Sequence, residues 1–86
     1  MAEVTLYSTT MCPYCEGAKA LLRKRGVEFT EVHLSRSADD RDKLTQLTGG
    51  WSFPQVVIND HVVGGFDELR VIDRAGRLGE LLALES

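Results

Sequence analysis

Met11-Cys12-Pro13-Tyr14-Cys15 holds the only two cysteines of the chain, three positions apart, where a strand-like stretch gives way to a helical one. Before it, Val4-Thr5-Leu6-Tyr7-Ser8 is apolar, β-branched and partly alternating, so it reads as a short strand. Thr9 and Thr10 break that pattern, and Pro13 suits the first turn of a helix, where a missing N–H costs nothing. Tyr14, Ala18, Leu21 and Leu22 then recur at helical spacing, with Glu16, Lys19, Arg23 and Lys24 on the other faces and Gly26 as the stop. The stretch is therefore strand, cysteine loop, helix.

Working outward, Glu28 to Leu34 reads as a second strand, with Phe29 and Val27 available to the core. Ser35 to Ala38 is a polar connector carrying N-cap candidates. Asp39 to Leu47 reads as an amphipathic helix with Leu44 and Leu47 inward, acidic residues in its first turn, and Gly49-Gly50 at its end. After Trp51-Ser52-Phe53-Pro54, the run Gln55 to Ile58, the turn Asn59-Asp60 and His61-Val62-Val63 spell a hairpin. Gly64-Gly65 lets the backbone swing sharply. Asp67 to Ala75 reads as a helix offering Leu69, Val71 and Ile72 to the core, and Leu78, Leu81 and Leu82 mark a last short helix before the tail Glu85-Ser86. A strand–helix–strand unit makes the first two strands parallel, and the hairpin adds an antiparallel pair. The expectation is an α/β fold with a four-stranded mixed sheet, order β-α-β-α-β-β-α, helices on both faces and a short C-terminal helix.

Composition bounds the function. Residues 1–86 make one small domain, and 43% apolar residues are enough for it to stand on its core. A bridge across so short a loop as Cys12–Cys15 would constrain little of the chain. A net charge of −3 leaves no electrostatic footprint for nucleic acid or an anionic membrane. No apolar stretch reaches the roughly 20 residues of a membrane span, and Met1-Ala2-Glu3 lacks the layout of a signal peptide. A cytoplasmic location is expected, and in that reducing compartment paired cysteines are more often catalytic or metal-binding than structural.

The pair could be a redox dithiol, half of a zinc site, or two small apolar side chains. Zinc would need two more ligands, and His33 and His61 stand in strands, far from ligand spacing, so no metal is expected. A thiolate at Cys12, at a helix N-terminus, should have its pKa lowered into the range of roughly 3.5–7.5. Cys15, one turn further on, should be more buried and less ionised, placed to resolve a mixed disulfide formed at Cys12.

Tyr7, the Cys12-Pro13-Tyr14-Cys15 tetrad, the Phe53-Pro54 step and Gly64-Gly65-Phe66-Asp67-Glu68 fall in the order and spacing of glutaredoxins. From about Val4 to Leu82 the chain resembles a bacterial-type dithiol member of that family. The resemblance implies a thioredoxin-like fold and glutathione as co-substrate, with Cys12 as nucleophile and Cys15 as the resolving thiol. It implies a cis bond before Pro54, so that the Phe53 main chain meets the cysteinyl unit of glutathione. Gly65, Phe66 and Asp67 would hold the γ-glutamyl end, through helix N–H groups and the Asp67 carboxylate. Tyr14 joins the glutathione-binding positions, and Arg41 is the candidate for the glycyl carboxylate. Thr9 belongs to the same set, but it stands where glutaredoxins often carry a lysine, which removes one cation near Cys12. Trp51 is expected at the groove wall. The partners implied are glutathione and glutathionylated or disulfide-containing proteins, and a monomer is expected. Two other functions share the pattern: an electron donor reduced by a flavoenzyme, and a dimer sharing a glutathione-ligated [2Fe–2S] cluster.

Overall fold

A computed structural model describes residues 3–83. Its elements are β1 (Val4–Ser8), α1 (Pro13–Lys24), β2 (Thr30–His33), α2 (Ala38–Thr48), β3 (Gln55–Ile58), β4 (His61–Gly64), α3 (Phe66–Arg74) and α4 (Leu78–Leu82). The order is the one expected, and the tail Glu85-Ser86 lies outside the described residues. The second strand is shorter than the Glu28–Leu34 stretch, because Val27 and Phe29 pack against the core from the loop ahead of it. The third helix opens at Phe66, one residue early, and closes at Arg74 with Ala75 as its cap.

The sheet runs β2-β1-β3-β4. β1 lies parallel to β2, with Thr5 opposite Thr30, and antiparallel to β3, with Leu6 opposite Val56. The hairpin β3–β4 turns at Asn59-Asp60, both with positive φ (49° and 68°). Asn and Asp tolerate that conformation, and it matches the twist of a two-residue hairpin. Strand alternation sends Val4, Leu6, Val56 and Ile58 to one face, where Ala18 and Leu22 of α1, Leu69 of α3 and Leu78 of α4 close over them. Each fully buried aliphatic side chain contributes about 1.5–3 kcal/mol relative to exposure. Leu44 of α2 is fully buried outside that cluster, so α2 covers the opposite face.

Four side chains depart from the sequence reading. On α2 the inward stripe is Leu44 and Thr48, four apart; Leu47 falls beside it and is 57% exposed. Val71, two residues after Leu69, points away from the core at 66% exposure, while Ile72 packs against it. Lys19 lies on the inner face of α1, four residues after Cys15, and is buried rather than solvated. Tyr14 is exposed, because Cα–Cβ bonds tilt toward a helix N-terminus and a first-turn side chain projects beyond the sheet.

Candidate functional site

The C-terminal end of β1 delivers the chain into the loop Thr9-Thr10-Met11 and so to Cys12, the N-cap of α1. Met11 has φ 52°, a left-handed bend that is uncommon outside glycine and aims the next residue into the helix. Pro13 occupies the first turn, where no N–H is needed. The Cys15 N–H donates to Cys12 Sγ at 3.2 Å, so the sulfur itself caps the helix. Cys12 and Cys15 are joined in a disulfide, with Cα atoms 5.2 Å apart. Cys15 is 1% exposed and Cys12 is half-buried, which matches the expected division between an inner and an outer sulfur.

Two adjoining hollows lie beside the thiol loop. One, of about 470 Å³, is lined by Met11, Cys12, Pro13, Tyr14, Arg36, Arg41, Trp51, Ser52 and Phe53. The other, of about 250 Å³, is lined by Tyr14, Ser52, Phe53, Pro54, Gly65, Phe66, Asp67 and Glu68. They share Tyr14, Ser52 and Phe53, so they form one trough running past Cys12. Its combined size is in the range of small-molecule sites. A larger hollow of about 720 Å³, beside Val4, Arg23 and Phe29, lies at the far end of β1 from the thiols.

The trough floor is fixed by backbone. The Phe53–Pro54 bond is cis, Pro54 is fully buried, and Gly65 packs beside it, with a Cβ position 3.5 Å from the Pro54 carbonyl oxygen. Gln55, itself buried, donates through Nε2 to Ser52 O at 2.9 Å and holds the loop ahead of Phe53. At the far wall the rings of Tyr14 and Phe66 lie 6.3 Å apart, and Phe66 rests on Gly17 of α1, where a Cβ would come within 3.0 Å of the ring. Glycine at position 17 is what lets the ring sit there.

The two ends of the trough carry opposite charge. Arg36 and Arg41 stand at one end, and neither has a carboxylate partner among the described residues. At the other, α3 opens with Asp67 and Glu68 in its first turn. Gly65 is the N-cap, and its N–H donates to Glu68 Oε1 at 3.1 Å, which leaves the Asp67 carboxylate exposed. Among the described residues no three His, Cys, Asp or Glu side chains converge as a metal-binding group.

The sequence-predicted positions therefore divide. Cys12, Tyr14, Arg41, Phe53, Pro54, Gly65, Phe66 and Asp67 all border the trough, and so does Trp51, 74% exposed. Thr9 does not. It is 7% exposed, and its Oγ1 is buried without a hydrogen-bond partner. Sequence reading missed Arg36, which sits in the polar connector with no periodic signal, and gave no separate role to Glu68, whose spacing from Gly65 is that of a capping box.

Beneath the thiol loop is a polar cluster. Lys19 Nζ bridges Glu16 (2.6 Å) and Glu31 (2.9 Å), and Ser8 Oγ donates to the same Glu31 oxygen at 2.6 Å. The Ser8 hydroxyl, and after it Lys19, hold the Glu31 carboxyl below its usual range. Glu16 and then Glu31 raise Lys19 in turn. The cluster ties α1 to β1 and β2 within one turn of Cys15.

The chain matches known proteins along nearly its whole length. A family model described as Glutaredoxin matches residues 4–63. The chain belongs to the glutaredoxin family. A glutaredoxin of Pseudomonas aeruginosa is 40% identical over 83 residues, covering 96% of this chain and 99% of that one. The solution structure of glutaredoxin from Brucella melitensis superimposes with a TM-score of 0.82 at 39% identity, over 95% of this chain and 89% of that one. The crystal structure of a buckwheat glutaredoxin–glutathione complex gives the same TM-score at 28% identity, over 94% and 76% of the two chains. Glutaredoxins are thiol–disulfide oxidoreductases of thioredoxin-like fold, and this chain is one by family, fold and dithiol. Among the described residues no helix is long and apolar enough to cross a membrane.

Proposed function

We propose that the chain reduces glutathione mixed disulfides and protein disulfides with glutathione as electron donor, through Cys12 as nucleophile and Cys15 as resolving thiol. The observation that carries this reading is the Cys12 sulfur, capping α1 and lining a trough that is basic at one end and acidic at the other. Helix N–H groups and the positive dipole end stabilise a thiolate there. A zwitterionic peptide thiol fits the polarity of the trough. Its glycyl carboxylate would lie toward Arg41, its cysteinyl backbone along Phe53-Pro54, and its γ-glutamyl carboxylate at the α3 N-terminus beside Gly65 and Phe66. Its ammonium would pair with Asp67. Tyr14 forms the wall against the cysteinyl sulfur.

Cys12 thiolate attacks the glutathionyl sulfur of a mixed disulfide; the old S–S bond breaks and the substrate leaves as thiolate, taking a proton from water. A second glutathione thiolate attacks the glutathionyl sulfur on Cys12, releasing glutathione disulfide and restoring the Cys12 thiolate. One free glutathione is consumed per mixed disulfide, and the other half of the glutathione disulfide is the glutathionyl group taken from the substrate. With a protein disulfide, Cys12 attacks first, Cys15 displaces the substrate, and glutathione reduces the resulting Cys12–Cys15 bond. The reaction needs a reducing glutathione pool such as the cytoplasm maintains. The steps as drawn need the thiols of one chain alone, so the active unit in this reading is a monomer.

Cys12→Ser should abolish both activities, and Cys15→Ser should spare reduction of a glutathionylated substrate while losing protein disulfide reduction. Undiminished turnover by Cys12→Ser would overturn the assignment.

A further inference from the structure

Arg36 lies in the connector between β2 and α2, yet its guanidinium reaches back across the molecule to the thiol loop. Nη2 donates to Thr10 O at 2.9 Å and to Met11 O at 3.3 Å, the two carbonyls immediately before Cys12. The connector is built to hold that reach. Asp40 Oδ2 accepts from both the N–H and the Oγ of Ser35 at 2.7 Å, the Ser35 and Ser37 hydroxyl oxygens lie 2.9 Å apart, and Ser37 Oγ caps α2 by accepting from Asp40 N. Asp40 is thus committed to Ser35, whose hydroxyl and N–H hold its carboxyl below the usual range, and it is not the counter-ion of Arg36. A guanidinium has five donors, and only Nη2 is engaged among the described residues. Arg36 lines the hollow together with Cys12 and Arg41.

We propose that Arg36 is a positioning residue for the Cys12 nucleophile: it pins the Thr10–Met11 bend and holds a positive charge beside the thiolate, favouring anionic disulfide substrates. The proposal deepens the reading of Cys12 as nucleophile and rests on it. The bend at Met11 has no glycine to ease it, so a bond to each flanking carbonyl fixes the direction in which Cys12 enters the helix. The charge does separate work. It lowers the cost of ionising Cys12 and attracts a reagent or substrate that brings a carboxylate to that end of the trough. Arg41, on α2 one turn beyond Ser37, lies at the same end but makes no bond to the thiol loop.

The test is alkylation of the reduced protein with iodoacetamide and with iodoacetate, each displaced at carbon by the thiolate with loss of iodide. Because Cys15 is 1% exposed, the fast phase reports Cys12. Relative to wild type, Arg36→Met should slow iodoacetamide about threefold near pH 6 and lower the iodoacetate-to-iodoacetamide rate ratio by a further factor of about three at low salt. Arg36→Lys, which keeps the charge, should retain the ratio. A ratio unchanged in Arg36→Met, whether both rates fall together or neither falls, overturns the proposal by leaving Arg36 at most a structural clamp. Wild-type protein that shows no fast thiol at either reagent fails at the earlier step and refutes Cys12 as nucleophile instead.

Discussion

Lys19→Met removes the cation that bridges two carboxylates under the thiol loop, while keeping most of the buried stem. In the wild type the Lys19 side chain is 11% exposed, against 71% for Glu16 and 36% for Glu31. The Glu16 contact is wet and worth at most about 0.5 kcal/mol. Glu31 is partly shielded, so its loss falls short of the roughly 3–5 kcal/mol of breaking a fully buried pair. A total of about 1–2 kcal/mol follows, or a fall in Tm of roughly 4–16 °C for a domain of this size. The pH dependence carries more information than the size. The Glu31 carboxyl is held below its ordinary value of 4.5, first by the Ser8 hydroxyl and then by Lys19. That contribution is complete above 4.5 and is lost as pH falls through the lowered folded value. Lys19 is held above its ordinary 10.5, first by Glu16 and then by Glu31. Its contribution is complete below 10.5 and is lost as pH rises through the raised folded value. Urea unfolding of both proteins in the same redox state should therefore show the wild-type advantage near pH 7 and its decline in acid, as the Glu31 carboxyl takes up its proton below 4.5. Below that transition an unpaired buried cation leaves Lys19→Met the equal of wild type or better. Equal stability near pH 7, or a gap that persists undiminished into acid, would refute the reasoning.

Three further substitutions test other parts of the structure. Gly50→Ala would drive a Cβ to 2.6 Å from Gln55 Nε2, breaking its bond to Ser52; unfolding should show a loss of about 1–3 kcal/mol, with a raised KM for a glutathione mixed disulfide. Leu44→Ala should cost about 2–5 kcal/mol, read as a lower denaturation midpoint at unchanged slope, because Leu44 is fully buried beneath α2. Asp67→Asn removes an exposed charge at the acidic end of the trough; steady-state kinetics should show KM for glutathione-bearing substrates rising about two- to fivefold, with kcat little changed.

The fold was legible because its signals are local. Alternation in Val4–Ser8, Pro13 at a helix start, Asn59-Asp60 between two β-branched runs and Gly64-Gly65 before an acidic first turn each name one element. The misread side chains were decided by helix phase against a particular neighbour. Leu47 and Val71 are apolar and fall in helical patterns, but only the docked orientation of α2 and α3 says that Leu44 with Thr48, and Leu69 with Ile72, face inward. Lys19 looked like a surface charge until Glu31, twelve residues away, came within reach across the β1–β2 edge. At the site the same limit applies. Phe53-Pro54 and Gly65 to Asp67 were recognisable as motifs, whereas Arg36 acquires its place only from a contact spanning 26 residues to Thr10. Thr9 shows the converse. Its position in the sequence suggested the trough, yet it is buried directly after Ser8, where the chain leaves β1 and strand alternation no longer sets which way a side chain faces.

The most direct test of glutathione as the electron source is turnover of a glutathionylated peptide by the wild-type protein with two reducing systems run in parallel. One supplies glutathione with its reductase, the other thioredoxin reductase with its own reductant. Rapid turnover with glutathione, absent in Cys12→Ser and preserved in Cys15→Ser, is the result predicted by a Cys12 thiolate set in a trough for a peptide thiol. Turnover sustained by thioredoxin reductase and not by glutathione would contradict it.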